Sequence, residues 1–284
     1  MRHPLRGQDR AITQVTKSGG VDMEEAIYTH GHHESVLRSH RWRTVENSAA
    51  YVLPHLRAGV RLLDVGCGPG TITADFARRV APGVVLGVDA SADVIAHAQR
   101  DHPGVPFAIG DVYRLDVPDA TFDIVHAHQL LQHLADPVAA LKEMRRVTRP
   151  GGIVAVRDSD YGSFTWHPGD DRLVRWLELY RDIARVNGGE PDAGRHLLSW
   201  AQQAGFTRIE PSASAWCFAT PEDRAWWGGL WADRMTSSAI ANQAIREGHA
   251  TQEELTGLAD AWRAWAAHDD GWFAVLHGEI IGER

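Results

Sequence analysis

Leu62-Leu63-Asp64-Val65-Gly66-Cys67-Gly68-Pro69-Gly70 decides the reading of this chain: a strand-like apolar run passes straight into three glycines at alternate positions. Glycines there allow positive φ and let a ligand lie against bare backbone, and the chain from Thr71 onward reads as a helix. A dinucleotide fingerprint wants its third glycine at position 71, where Thr71 stands, so the turn is a weak match to a pyrophosphate cradle. Around it, short Val/Leu/Ile runs predict strands at Arg61 to Val65, Val84 to Asp89, Val105 to Gly110, Phe122 to Ala127 and Gly152 to Arg157. Amphipathic stretches fill the gaps, which is the pattern of a parallel sheet covered by helices. Ser91 caps the helix that runs to Arg100, Asp136 with Pro137 opens the next, and Pro150-Gly151-Gly152 ends it. Upstream, Glu34 to Leu53 has helical spacing.

Composition bounds the function. The 284 residues carry a net charge of −8, which argues against a nucleic acid or an anionic membrane as the main partner and favours a small or cationic ligand. Cys67 and Cys217 stand far apart in unlike contexts, so a disulfide framework and a cysteine zinc site are both excluded; a reducing, cytoplasmic setting is expected. Met1 to Gly20 reads as a loose polar tail without the apolar core of a secretory signal, and no apolar run reaches membrane-span length. A homodimer is compatible with the sequence, which does not fix the oligomeric state.

After Asp158 the texture changes. Asp171 to Val186, Ala193 to Ala204, Pro221 to Met235 and Thr251 to Ala267 read as helices, the last with Thr251 and Glu254 at capping-box spacing. Two strands remain, Thr207 to Phe218 and Trp272 to Ile281, which fit a closing antiparallel hairpin. Ten of the 11 Trp lie at or after Trp166, so Trp166, Trp176, Trp226, Trp227 and Trp231 are candidates either for a helical core or for an aromatic ligand cavity. The expected division is a tail over 1–20, a helical segment over 21–58, a ligand-binding core over 59–160, and a helical cover with the last two strands over 161–284.

With Asp64 two residues before the first glycine, the turn resembles the first motif of class I S-adenosylmethionine-dependent methyltransferases. Further matches follow in order: Asp89 with Ala90, Gly110-Asp111-Val112, Phe122-Asp123-Ile124-Val125 with His126 to Leu134, and Arg146 to Gly152. Within the class, the pattern is similar to small-molecule methyltransferases of ubiquinone and menaquinone biosynthesis. The resemblance implies an α/β, Rossmann-like, seven-stranded sheet, mostly parallel with a closing antiparallel hairpin, preceded by N-terminal helices and covered by helices inserted late. It implies S-adenosyl-L-methionine as cofactor and S-adenosyl-L-homocysteine as product. Asp64, Gly66, Gly68 and Gly70 would serve the amino acid part, Asp89 and Ala90 the ribose, and Asp111 and Val112 the adenine. His128 and Gln129 would face the methyl group, and Tyr28 would lie near the amino acid end.

Methyl transfer is an in-line displacement, so alignment and dehydration matter more than an elaborate apparatus. A hydroxyl or carbon-acid acceptor still needs a base, and His128, His133 and Asp158-Ser159-Asp160-Tyr161 stand at strand ends where ligands bind. For His133 the structural alternative is a bond to Asp136. An ordinary imidazole pKa would suit His128 to the role. No resident metal is expected: His30, His32 and His33 lack a completing ligand set, and Asp158 with Asp160 makes only two carboxylates. The function expected is methyl transfer to a small apolar or aromatic acceptor; the alternative is use of the bound cofactor for cyclisation or elimination.

Overall fold

The computed structural model describes residue 40 and residues 42–284; Tyr28, His30, His32 and His33 lie outside the described residues. Strands β1 (Arg61–Val65) and β2 (Val84–Asp89) fall on the expected residues, and β3 (Phe107–Ile109) is shorter than expected. β4 (Phe122–His128) runs one residue further, and β5 (Thr148–Ser159) starts earlier. Phe122 pairs with Thr148 but Ile124 pairs with Ile153, so the Pro150-Gly151-Gly152 turn bulges out of a ladder that has already begun. After β6 (Thr165–His167) come β7 (Arg208–Phe218) and β8 (Trp272–Glu283).

The order is β3-β2-β1-β4-β5-β8, parallel through β5 and antiparallel at β8. Along its other edge β8 pairs with β7, and beyond the end of β5 it pairs with β6. Among the described residues the sheet therefore has eight strands, not seven; the extra one, β6, has three residues, too few for periodicity to reveal. Alternation sends Leu62, Ile124 and Ala155 to one face, against Phe76, and Leu63, Val125 and Val154 to the other, against Leu141 and Met144.

Helices cover both faces. The single helix expected over Glu34 to Leu53 is, among the described residues, one turn, α1 (Val45–Ser48), followed by a 3-10 segment over Ala50–His55. Thr44 and Asn47 cap each other's backbone N–H groups, which starts a new helix there, and Pro54 lies inside the second segment. Next come α2 (Thr71–Val80), α3 (Ala92–Asp101) and α4 (Pro137–Val147), the last two capped by Ser91 and Asp136 as expected.

The late segment holds α5 (Asp171–Val186), α6 (Leu197–Gln203), α7 (Pro221–Ser237), α8 (Ala239–Arg246) and α9 (Gln252–Ala266). α8 has no counterpart in the sequence reading. Thr251 caps the Glu254 N–H, but the Glu254 carboxylate pairs with Arg175 of α5 instead of closing the box. No helix among the described residues is long and apolar enough to cross a membrane.

Backbones approach closely at Gly278 of β8, where a Cβ would stand 2.1 Å from the Gly194 carbonyl oxygen. Neither backbone can yield, so Gly278→Ala is expected to destabilise the protein by at least about 1–3 kcal/mol. Gly257, inside α9, has nothing within 4 Å of such a Cβ, so Gly257→Ala is expected to stabilise by about 0.5–1 kcal/mol. Urea unfolding midpoints check both signs.

Candidate active site

The glycine turn leaves β1 with the Gly66 and Cys67 N–H groups on the Val88 carbonyl. Gly66 and Gly68 have φ of 69° and 55°, in the region that side chains disfavour. A Cβ at Gly66 would stand 2.9 Å from Leu130, so the exit of β4 lies directly against the turn. At Gly68 the nearest atom to such a Cβ is Nδ1 of His40, at 3.6 Å, which leaves a narrow cradle between turn and N-terminal segment. Thr71, where a dinucleotide site would have glycine, donates its hydroxyl to the His40 carbonyl.

The expected cofactor residues divide by position. Asp89, half-buried at the end of β2, accepts from Gly68 N–H and Ser91 N–H at 3.0 Å each, and Ala90 beside it is exposed. Asp111 is exposed after β3 with one oxygen on the Tyr113 N–H, and Val112 is buried. Asp64 is buried beneath the turn, where its two oxygens meet Thr73 Oγ1 at 2.6 Å and His126 Nδ1 at 2.7 Å, and it braces the turn from within.

At the β4 exit, Gln129 has φ of 51°, uncommon for a side-chain-bearing residue. Its N–H donates to the Arg157 carbonyl at 2.7 Å, its side-chain oxygen accepts from Arg43, and its Nε2 meets Ser159 Oγ at 2.6 Å and His277 Nε2 at 2.9 Å. His128 is buried between Trp216, 5.7 Å away, and His277, 6.1 Å away, and its ring nitrogens have no hydrogen-bond partner among the described residues.

The ordinary pKa expected for His128 is corrected here. Burial, then Arg43 and Arg157, push it well below the usual imidazole range. Burial followed by Arg157 and Arg43 does the same to His277. His133 is pushed down to about 3 by burial and Arg43, and its Nε2 lies 3.1 Å from Gln132 Nε2. Asp136, the partner considered for it, caps Ala139.

Two groups that the sequence reading did not single out meet at this edge: Arg43 and His277. Arg157 and Trp216 stand behind them, with the Arg157 guanidinium 4.9 Å from the Trp216 ring. A signal existed. On β8, Phe273, Val275, His277, Glu279 and Ile281 share one face, and two polar residues interrupt its apolar alternation. Of the five candidate tryptophans, Trp176, Trp227 and Trp231 are buried in the helical cover's own core, with Trp176 4.6 Å from Trp231 and 4.7 Å from Trp262. Trp166 and Trp226 are partly buried against that core, the Trp226 ring tilted 37° to that of Trp42 at 5.3 Å.

Asp160 is tied to Arg195 by two side-chain hydrogen bonds. Asp158 is fully buried; one oxygen accepts the Gln132 N–H at 3.1 Å and the other has no hydrogen-bond partner among the described residues.

Residues 63–156 match a family described as a methyltransferase domain. A chain from Schizosaccharomyces pombe named an uncharacterized methyltransferase is 36% identical over 277 residues, covering 92% of this chain and 98% of its own. A demethylmenaquinone methyltransferase of Beutenbergia cavernae is 34% identical over 159 residues, covering 54% of this chain and 64% of its own. Among solved structures, the YcgJ protein of Bacillus subtilis shares the fold with a TM-score of 0.54 at 20% identity, over 84% of this chain and 98% of that one.

Burial raises the Asp158 pKa to about 7, opposed by hydrogen bonds from Gln132 and Leu131 N–H. A folded pKa above the unfolded value of about 4 means the protonated acid contributes stability at low pH that is lost as pH rises through about 7. Asp158→Asn keeps the Gln132 acceptor without the ionisation. It is therefore expected to be more stable than the parent at pH above about 7, by up to about 4 kcal/mol, with the gap closing toward pH of about 4. Urea midpoints across that range check the sign; a constant gap would remove the assignment.

Proposed function

The chain belongs to the class I S-adenosylmethionine-dependent methyltransferases, and on that premise we propose that it transfers the cofactor's methyl group to a small apolar or aromatic molecule held beyond the ends of β4 and β5. The single observation that carries the reading is the order of strands. Because β3, β2, β1 and β4 are successive neighbours, Asp111, Asp89, the glycine turn and Gln129 form one row along the carboxyl edge of the sheet. Three inter-strand steps span about 14 Å, the length of a nucleoside extended by an amino acid.

The donor set fits such a ligand. Bare backbone at Gly66 and Gly68 lies beside the His40 cradle, a half-buried carboxylate stands at Asp89, and an exposed one stands at Asp111. In this reading Asp89 accepts the ribose hydroxyls, with Ala90 beside it. Asp111 accepts the adenine amino group, and the Val112 backbone meets the ring. Gly66, Gly68 and Gly70 admit the amino acid part. When bound, the cofactor supplies a methyl group on a sulfonium whose charge disappears on transfer. Gln129 aligns the acceptor side, while Trp216 and His128 keep water from it. The acidic overall charge supports a small acceptor over a nucleic acid.

Asp89→Ala is expected to weaken S-adenosylhomocysteine binding by about 1–3 kcal/mol in a protein that still folds, because two charge-assisted hydrogen bonds are lost. Calorimetry checks it, and unchanged affinity would remove the ribose assignment. Turnover is expected to be insensitive to EDTA, since Asp160 is committed to Arg195 and Asp158 is buried. A product heavier by one methyl group separates transfer from cyclisation or elimination.

A further inference from the structure

Beneath the glycine turn a buried pair joins β1 to β4, and its hydrogen bonds fix its charge. Asp64 and His126 are register partners, 3% and 0% exposed. His126 Nδ1 lies 2.7 Å from Asp64 Oδ1, while its Nε2 is buried with no hydrogen-bond partner among the described residues. A proton on Nε2 would be a buried donor without an acceptor, which is costly. The imidazole therefore carries its one proton on Nδ1 and donates it to Asp64. Thr73 Oγ1 donates to the other oxygen at 2.6 Å. With both oxygens accepting, Asp64 is a carboxylate and the pair carries one net negative charge.

We propose that His126 is a positioning residue for the methyl donor: it holds the Asp64 charge under the glycine turn, and that charge makes the site prefer the sulfonium of S-adenosylmethionine to the neutral thioether of S-adenosylhomocysteine. This deepens the methyltransferase reading and rests on it. At the rise of a strand, the two residues from Asp64 to Gly66 span about 7 Å, a distance over which unit charges interact strongly where water is excluded. Gly66 in turn packs against Leu130, next to Gln129, so the charge lies below the place where donor and acceptor meet.

Other groups at the turn feel the same sign. The Cys67 thiol, on the turn itself, is pushed well above its usual range by burial and then by Asp64 and Asp89. Asp89 accepts the Gly68 N–H, so carboxylates stand on two sides of the turn. The cations lie toward β5: Arg157 on that strand, and Arg43 on Gln129 at the β4 exit. Strand order thus sets the negative pair under the donor and the positive groups toward the acceptor. Donor and product share the same nucleoside and amino acid part, so a preference between them reads the charge on sulfur. Preference for the sulfonium lets fresh donor displace spent product after each transfer.

The test uses the full chain and calorimetric affinities for S-adenosylmethionine and S-adenosylhomocysteine, without an acceptor. A parent protein that binds neither sinks the methyltransferase reading of the site, a result separate from the outcomes below. Three variants divide the roles. His126→Leu removes the donor, and a buried carboxylate that loses a donor favours its protonated form. Asp64→Asn removes the charge and keeps the shape. His126→Asn restores a donor, because an asparagine Nδ2 and a histidine Nδ1 stand the same number of bonds from the backbone.

His126→Leu and Asp64→Asn are each expected to lower the affinity for S-adenosylmethionine relative to S-adenosylhomocysteine by about tenfold. His126→Asn is expected to keep the parent's ratio, even where it lowers stability. Should His126→Leu fail to fold, His126→Phe, which keeps a ring against Phe76, carries the same comparison. An unchanged ratio in His126→Leu or Asp64→Asn, including an equal loss of both affinities, makes the pair structural and overturns the proposal. A ratio shifted in His126→Asn as far as in His126→Leu does the same. Ring-nitrogen NMR shifts that place the His126 proton on Nε2 overturn it as well.

Discussion

Arg157 holds its guanidinium at 1% exposure where the parallel part of the sheet meets the antiparallel hairpin. Removing a cation from water costs several kcal/mol, so its surroundings must offset that cost or the strand could not stay there. They are supplied by the strands that close the sheet: Glu279 of β8 sits opposite in register at 3.1 Å, Ser214 of β7 accepts at 3.1 Å, and Trp216 presents its ring. Burial pulls the Arg157 pKa down to about 10 while Glu279 opposes, so the cation persists at neutral pH. The hairpin is thus an electrostatic complement to β5 as well as an apolar cover. Its positive centre also keeps His128 and His277 uncharged.

The parallel part of the fold was legible because its signals are local. Short Val/Leu/Ile runs and glycine punctuation place β1 and β2 on their observed residues, and the order of motifs places Asp89, Asp111 and Gln129 at successive strand ends. The acceptor corner was not legible, because it depends on pairing. Gln129 and His277 meet across 148 positions of sequence, and only the pairing of β5 with β8 brings Ser159 opposite His277. Arg43 lay in a stretch whose spacing reads as uninterrupted helix, and the mutual capping of Thr44 and Asn47 redirects the chain just after it. Asp64 shows the converse: its place in the motif was readable, but its direction depends on Thr73 and His126 already occupying it.

Tryptophan density identified a cluster without locating it. Trp176, Trp231 and Trp262 pack edge-on and stacked among α5, α7 and α9, where their rings fill space between the helices beside Leu173, Tyr180, Leu230 and Leu258. Trp216 reaches the acceptor corner because β7 runs beside β8, placing its ring 4.4 Å from His277. Composition senses which segment is aromatic; the strand register decides which ring meets a ligand.

The N-terminal segment joins the two halves of the site. The His40 carbonyl accepts from Thr71 at the glycine turn, and the Val45 N–H donates to Asp75 on α2 at 2.9 Å, both on the cofactor side. Arg43 donates to Gln129, and the Asn47 carbonyl accepts from the Trp216 indole, both on the acceptor side. Four hydrogen bonds at a net of about 0.5–1.5 kcal/mol each make the strap's attachment comparable to the binding energy of a small ligand. The strap thus spans both halves of the site above a sheet fixed by Arg157 and Glu279.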